Sequence, residues 1–387
     1  MSAETIVVSG AIANKCRNGG EAWVRLSWIR GFQQLGFRVV FVERIARESC
    51  VDDAGRPAAF EDSANLAYFR DVTRRFGLEG DSALVHEGGT HGLTMAELMD
   101  VAGEAALLVN ISGHLDLAPL LGRMKRKAYV DIDPGFTQFW HAAGQEGSRL
   151  AGHDYYFTIG ENIGRPECSI PTGGIPWVPT RQPVTLGDWP VSTGAEPGRF
   201  TTIANWRGPY GPIEYGGRTF GLKVHEFRKV LPLPARARQR FELALSIHPA
   251  ESKDLHALRE NGWDVVDPGP ASADPESFRS YVQRSGSEFS VAQGVYVDTA
   301  SGWFSDRTAR YLASGKPALV QDTGFGRALP VGEGLVPFRT LDDAVAGAER
   351  IARDYAGHCE AARAIAEEHF TSDRVLGEML ARVGVGG

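Results

Sequence analysis

Cysteine is scarce: Cys16, Cys50, Cys168 and Cys359 stand far apart in 387 residues, and no two form a Cys-x-x-Cys pair. That spacing indicates neither a disulfide framework nor a zinc site, so reduced thiols in a cytoplasmic protein are expected. Basic residues are not in surplus either. With 41 Lys and Arg against 48 Asp and Glu the formal charge is -7, which argues against a general nucleic-acid binder. After Met1 there is no basic n-region followed by a long apolar h-region, and no apolar run approaches the roughly 20 residues of a membrane-spanning helix. Two motifs are missing as well. The loop from Gly10 to Gly20 lacks Gly-x-Gly-x-x-Gly spacing, which removes the main support for a dehydrogenase. His86 and His91 do not belong to a helical His-Glu-x-x-His, so their proximity is no argument for a metal.

What is present is an ordinary globular composition, 43% apolar and 23% charged, in a chain long enough for two domains. Ile6 to Ser9 reads as a short buried strand, Glu21 to Leu35 has helical spacing that Gly36 stops, and Phe37 to Val42 forms another strand. Further strands are predicted at Ala83 to His86, Ala106 to Ile111, Tyr129 to Ile132 and Tyr155 to Ile159. The helix Thr94 to Ala102 opens on Thr94 and Glu97 in capping-box spacing. Apolar strands alternating with helices imply a parallel sheet covered on both faces. From Pro171 to Gly198 the chain turns rich in Pro, Gly, Thr and Ser, which reads as a linker. A second series then follows, with strands at Phe200 to Ala204, Phe241 to Ile247, Trp263 to Val266 and Phe289 to Ala292, and a helical tail from Leu341 to Val383. The fold expected is α/β, two Rossmann-like doubly wound domains: residues 1–178, a linker at 179–199, residues 200–370, and a final helix in 371–387.

The most informative stretch runs from Ser301 to Gly324. A loop enters a helix at Ser305 or Asp306, the helix ends near Gly315, Pro317 blocks its continuation, and Ala318 to Val320 makes a buried strand. The helix start offers free N–H groups and a partial positive charge, and Arg307 and Arg310 add fixed cations, a setting that suits a diphosphate. On these residues the chain resembles GT-B-type, nucleotide-sugar-dependent glycosyltransferases, in which the Gly-Lys-Pro turn and following strand close the sugar-nucleotide pocket. The resemblance implies an acceptor-binding first domain, a donor-binding second domain, and C-terminal helices crossing back to the first. It also implies a metal-independent transfer from a nucleotide-diphosphate sugar, a co-substrate with no further cofactor, to a hydroxyl of a small-molecule, peptide or glycan acceptor.

Candidate residues follow from these expectations. A general base for inversion is sought among His114, Glu87 and His91, which sit on loops after predicted strands. Diphosphate binding is assigned to Arg207, Lys223, Ser305, Asp306, Arg307 and Arg310, and loss of Arg307 is expected to slow transfer more than it disturbs folding. Gly19, Gly20, His248, Asp322, Thr323 and Gly324 are expected to line the cleft. The aromatic run Phe136 to His141 is a candidate acceptor wall. One departure stands out: counting back from Gly315-Lys316-Pro317, Arg310 and Gly302 occupy the positions of the family's two glutamates. The nucleotide is therefore left open. A nucleotide-sugar epimerase or hydrolase, or a non-catalytic sugar-binding subunit, would share this architecture.

Overall fold

The computed structural model describes residues 3–193, 196–208 and 210–386. Gly194 and Ala195, within the expected linker, and Pro209, within the Gly-rich segment after it, lie outside these residues. The first unit is built on β1 (Thr5–Ser9), β2 (Arg38–Arg44), β3 (Ser82–His86), β4 (Gly89–Gly92), β5 (Leu107–Ile111), β6 (Lys127–Asp131), β7 (Tyr155–Thr158) and β8 (Val178–Pro179). They form one sheet in the order β4-β3-β2-β1-β5-β6-β7-β8. Every neighbouring pair is parallel except β3 and β4. Ile6, Val7 and Val8 are all fully buried, because helices cover both faces, and this is why the strand reads as a continuous apolar run.

The second unit contains β9 (Arg199–Asn205), a hairpin of β10 (Ile213–Tyr215) and β11 (Arg218–Phe220), then β12 (Arg240–Ser246), β13 (Asp264–Val266), β14 (Ser287–Ser290), β15 (Ala318–Gln321) and β16 (Leu335–Phe338). Its sheet, β13-β12-β9-β14-β15-β16, is parallel throughout. Both sheets thus grow outward from their first strand in the same doubly wound order. Two Rossmann-like units facing one another make the GT-B architecture.

The units share an interior. One apolar cluster runs from Val8, Trp28 and Phe32 of the first unit to Phe304, Leu312 and Ala318 of the second. The connecting segment joins it: Trp189 is fully buried, with its ring 5.0 Å from that of Trp23. Val184 exchanges backbone hydrogen bonds with Phe370 and Ser372. The helix Ser372–Val383 returns to the first unit and lies on the helix Gly19–Gln34, where a Cβ on Gly31 would come within 2.5 Å of Leu376.

Candidate active site

Strand order reverses between β1 and β5 in one sheet and between β9 and β14 in the other. Ligands of open α/β sheets bind beyond the carboxyl ends of strands at such points. Here the two points enclose a cavity of about 500 Å³, lined by Arg17, Gly20 and Glu21 on one side and Lys223, Asp267 and Arg307 on the other. A second cavity of about 370 Å³ shares Asn18, Glu21 and Asn205 with it and reaches Lys15, Arg207 and His248.

On the first unit's side a buried carboxylate shapes the loop after β1. Glu43, on β2, accepts the N–H groups of Ile12 and Ala13 on one oxygen and of Asn14 on the other, all at 2.8 Å. The chain then enters the helix Gly19–Gln34, capped by the Asn18 side chain accepting from the Glu21 N–H at 3.1 Å. Arg25, only 2% exposed, lies across Gly10, where a Cβ would meet its Cγ at 2.7 Å, and pairs with Glu21. Burial raises the Glu21 pKa, but Arg25 and Lys15 outweigh it and hold that carboxyl below its ordinary range.

Behind this pair stand the residues that follow β5 and β6. Ser112 and Gly113 both adopt left-handed backbone, as does Arg149, and a Cβ on Gly113 would come within 2.7 Å of the Arg149 Cβ. Of the described residues other than glycine, only Arg17, Ser112, Arg149 and Ala300 have positive φ. Such strain persists where the surroundings over-determine it. His114, held by this turn, is pushed down to about 3 by burial and by Arg25, Arg149 and Lys15, so its imidazole is neutral at pH 7. After β6, Asp131 is fully buried and satisfied by Thr137, Gln138 and Thr158, each at 2.7 Å. Asp133, two residues on, is only partly buried and accepts from the Tyr296 hydroxyl of the second unit at 3.3 Å. Burial, then Asp131 and Glu21, raise the Asp133 carboxyl to about 7.

On the second unit's side, Lys223 begins the helix Lys223–Arg228, and its N–H donates to Gln293 Oε1 at 2.6 Å. Its ammonium has no hydrogen-bond partner among the described residues. Burial and the nearby Arg307 lower it to about 8, with Glu288 opposing. Arg307 is far less free. Its guanidinium donates to Glu288 Oε1 at 2.7 Å, the Ile203 carbonyl at 2.8 Å and Ser290 Oγ at 2.8 Å. It leaves 14% of its side chain towards the cavity, while Glu288 is fully buried.

The remaining expected residues divide sharply. Arg207 is half-exposed and paired with Glu251, and His248 lines the smaller cavity while its Nδ1 accepts from the Ala250 N–H at 3.1 Å. Ser305 caps the helix Asp306–Ala313 by accepting from the Arg307 N–H at 3.2 Å. Asp306 borders the cavity but spends its carboxylate on Arg310. Arg310 does not face the cavity: it is 1% exposed, reaches Ser27 Oγ at 3.1 Å and lies over the Trp189 ring. One turn into the helix, its side chain leans back onto Asp306 and turns to the unit interface at Ser27, not to the cavity.

Glu87 and His91 are also away from the cleft. The expected loop is the β3–β4 hairpin at the sheet's outer edge, where Gly89 takes a φ of 142° as the chain enters β4. His91 there contacts Arg70 at 3.4 Å. Gly20 borders the cavity, and both glycines also admit the other unit: a Cβ on Gly19 would come within 2.0 Å of the Asp274 carbonyl, and one on Gly20 within 2.9 Å of Phe278. Asp322 is occupied by Arg339 and the Gly324 N–H. Thr323 donates to the Trp303 carbonyl at 2.5 Å, and Asn162 donates to the Gly324 carbonyl at 3.1 Å. The aromatic run forms the helix Phe136–Ala142, and the β10–β11 hairpin covers it, with Phe139 and Phe220 stacked at 5.0 Å.

Glu21, Arg25, Asp133, Glu288 and Tyr296 were not among the expected site residues. Only Asp133 had a readable signal, its place just past the apolar end of a strand. Among the described residues no group of three or more His, Cys, Asp or Glu is placed to hold a metal ion, and no helix is long and apolar enough to cross a membrane.

No family model matches the chain, and no curated protein sequence matches it. Solved structures do. An alpha-glucosyltransferase in complex with UDP superposes with a TM-score of 0.57 at 12% identity, over 98% of this chain and 99% of that one. Anabaena HepE in complex with UDP and glucose gives 0.56 at 10% identity, and sucrose-phosphate synthase from Thermosynechococcus elongatus 0.54 at 12%, both over 98% of this chain and 99% of theirs. At such identities the likeness is one of fold, and the chain has the GT-B fold of these glycosyltransferases over nearly its whole length.

Proposed function

We propose that this protein is a glycosyltransferase that moves a sugar from a nucleotide-diphosphate donor to a hydroxyl-bearing acceptor, without a metal in the transfer step. The observation that carries the reading is Lys223. An ammonium group without a hydrogen-bond partner, turned into a cavity where two strand-order reversals meet, is costly unless an anion is meant to join it. The partly exposed edge of Arg307 adds a second positive charge to the same wall. Together they would neutralise a departing diphosphate. The UDP carried by the alpha-glucosyltransferase and HepE structures makes uridine nucleotides the first to test.

The acceptor would lie against the first unit, where Glu21 lines the cavity and Arg25, His114 and Asp133 stand behind it. A thermal-shift panel of UDP, ADP, GDP and dTDP tests the donor half directly, because a ligand that binds only the native state raises the melting temperature. A rise with at least one diphosphate is expected. No rise with any of them at millimolar concentration would remove the donor-site reading.

A further inference from the structure

Resting on that reading, with the transfer proceeding by inversion, the geometry points to Asp133 as the catalytic base, the group that takes the proton from the acceptor hydroxyl as the new glycosidic bond forms. The other titratable groups in reach serve less well. His114 lies between Arg25, Arg149 and Lys15, and a proton added there would join three cations in a buried place. Glu21 is committed to Arg25. Asp131 accepts from Thr137, Gln138 and Thr158 and is fully buried.

Asp133 differs on each count. It stands at the carboxyl end of β6, and one oxygen accepts from Tyr296 across the seam between the units. The other oxygen has no hydrogen-bond partner among the described residues, and the side chain is only partly buried. Groups facing it from each packed element set its affinity for a proton: Asp131 from its own strand, Glu21 and Arg25 from the helix Gly19–Gln34, and Tyr296 from the helix Gly294–Asp298. Tyr210 and Tyr129 also lie within its electrostatic reach. Two carboxylates and a desolvated site favour the protonated acid, while Tyr296 and Arg25 favour the anion, and the balance falls near neutrality, where a general base works best.

The step balances in atoms and charge. The acceptor O–H proton passes to the free Asp133 oxygen, and the acceptor oxygen bonds to the anomeric carbon. The bond from that carbon to the diphosphate oxygen breaks, its electron pair leaves on the diphosphate, and Lys223 with Arg307 receives the charge. Tyr296 is then a positioning residue. It belongs to the donor unit, so its hydroxyl orients the base only when the two units are together.

Asp133→Asn keeps shape and hydrogen bonding but cannot take the proton. The probe reaction is UDP release from UDP-glucose with water as acceptor, alongside the UDP-induced melting shift. The variant is expected to keep that shift within a degree or so and to lose on the order of a hundredfold in turnover. In the parent, kcat/KM should fall below pH 7 with a slope of one. Tyr296→Phe removes a donor to the anion, so the acid limb should move to higher pH. Retained turnover in Asp133→Asn would overturn the assignment, as would an unmoved acid limb in Tyr296→Phe.

A measurement that needs no turnover stands beside these. In protein labelled with ¹³C at aspartate carboxyls, the resonance absent from Asp133→Asn should titrate near pH 7 in the parent, and titration in the ordinary carboxylate range would reject the proposal. Failure of UDP to shift the parent's melting temperature is a separate result that concerns the donor site alone.

Discussion

Lys223 and Arg307 carry the same charge and line the same cavity, yet they should respond oppositely to removal. The fold holds the Lys223 ammonium near 8 against an ordinary 10.5, so between those values the unfolded chain binds the extra proton and stability rises with pH. Below pH 8 the full cost of burying the charge is present. Lys223→Met should therefore raise the melting temperature at pH 7 by a few degrees, lose that advantage by about pH 10.5, and abolish the UDP-induced shift. Differential scanning fluorimetry across pH tests all three, and a destabilised variant at pH 7 would refute the account. Arg307→Ala instead strands the fully buried Glu288, whose other oxygen already has no partner among the described residues. Breaking a buried pair costs about 3–5 kcal/mol, so the dominant effect should be a lower melting temperature, contrary to the expectation raised from sequence. Replacing both partners, Arg307→Met with Glu288→Gln, should recover most of that loss in urea unfolding without restoring donor use. Recovery of donor use would mean that Arg307 serves to hold Glu288 and not the diphosphate.

At the scale of elements, the helix Gly19–Gln34 meets the second unit end-on. Because a Cβ at Gly19 would sit 2.0 Å from the Asp274 carbonyl, against backbone that cannot swing aside, Gly19→Ala should lower the melting temperature and weaken nucleotide binding together. An unchanged melting temperature would mean that the two units readily draw apart there. The strand and helix series was legible from apolar runs and stops: β1, β5 and β15 fall within a residue or two of where the apolar runs put them. The hairpin at His86 to Gly92 was not, because two glycines in a polar run look the same in a loop and in a tight turn between edge strands. The phosphate-facing helix start was legible as a helix, but not the direction of its arginines. Whether Arg310 turns to solvent, ligand or Trp189 depends on a residue more than a hundred positions away. The Asp133–Tyr296 contact was hidden for the same reason, and the Glu288–Arg307 pair, only 19 residues apart, because nothing local to either residue marks its partner.

At the scale of the whole molecule, the interior that runs from Trp28 through Trp189 to Leu312 makes separate melting of the two units unfavourable. Unfolding either one would expose the other's half of that cluster to water. Calorimetry should show one transition, with calorimetric and van't Hoff enthalpies in agreement, and two resolved peaks would contradict the shared core. The strap at Val184 to Trp189 and the returning helix Ser372–Val383 bear on how such a protein can be re-engineered. Exchanging everything after residue 199 for the corresponding half of another GT-B protein, to change the nucleotide it accepts, would take Phe278 and Arg310 from Trp189 and Leu376 from the helix Gly19–Gln34. A hybrid built by cutting at the connecting segment alone should be insoluble. One that carries residues 180–193 and the last helix along with the half they fit has the better prospect, because in this chain the seam to cut is not where the sequence composition changes.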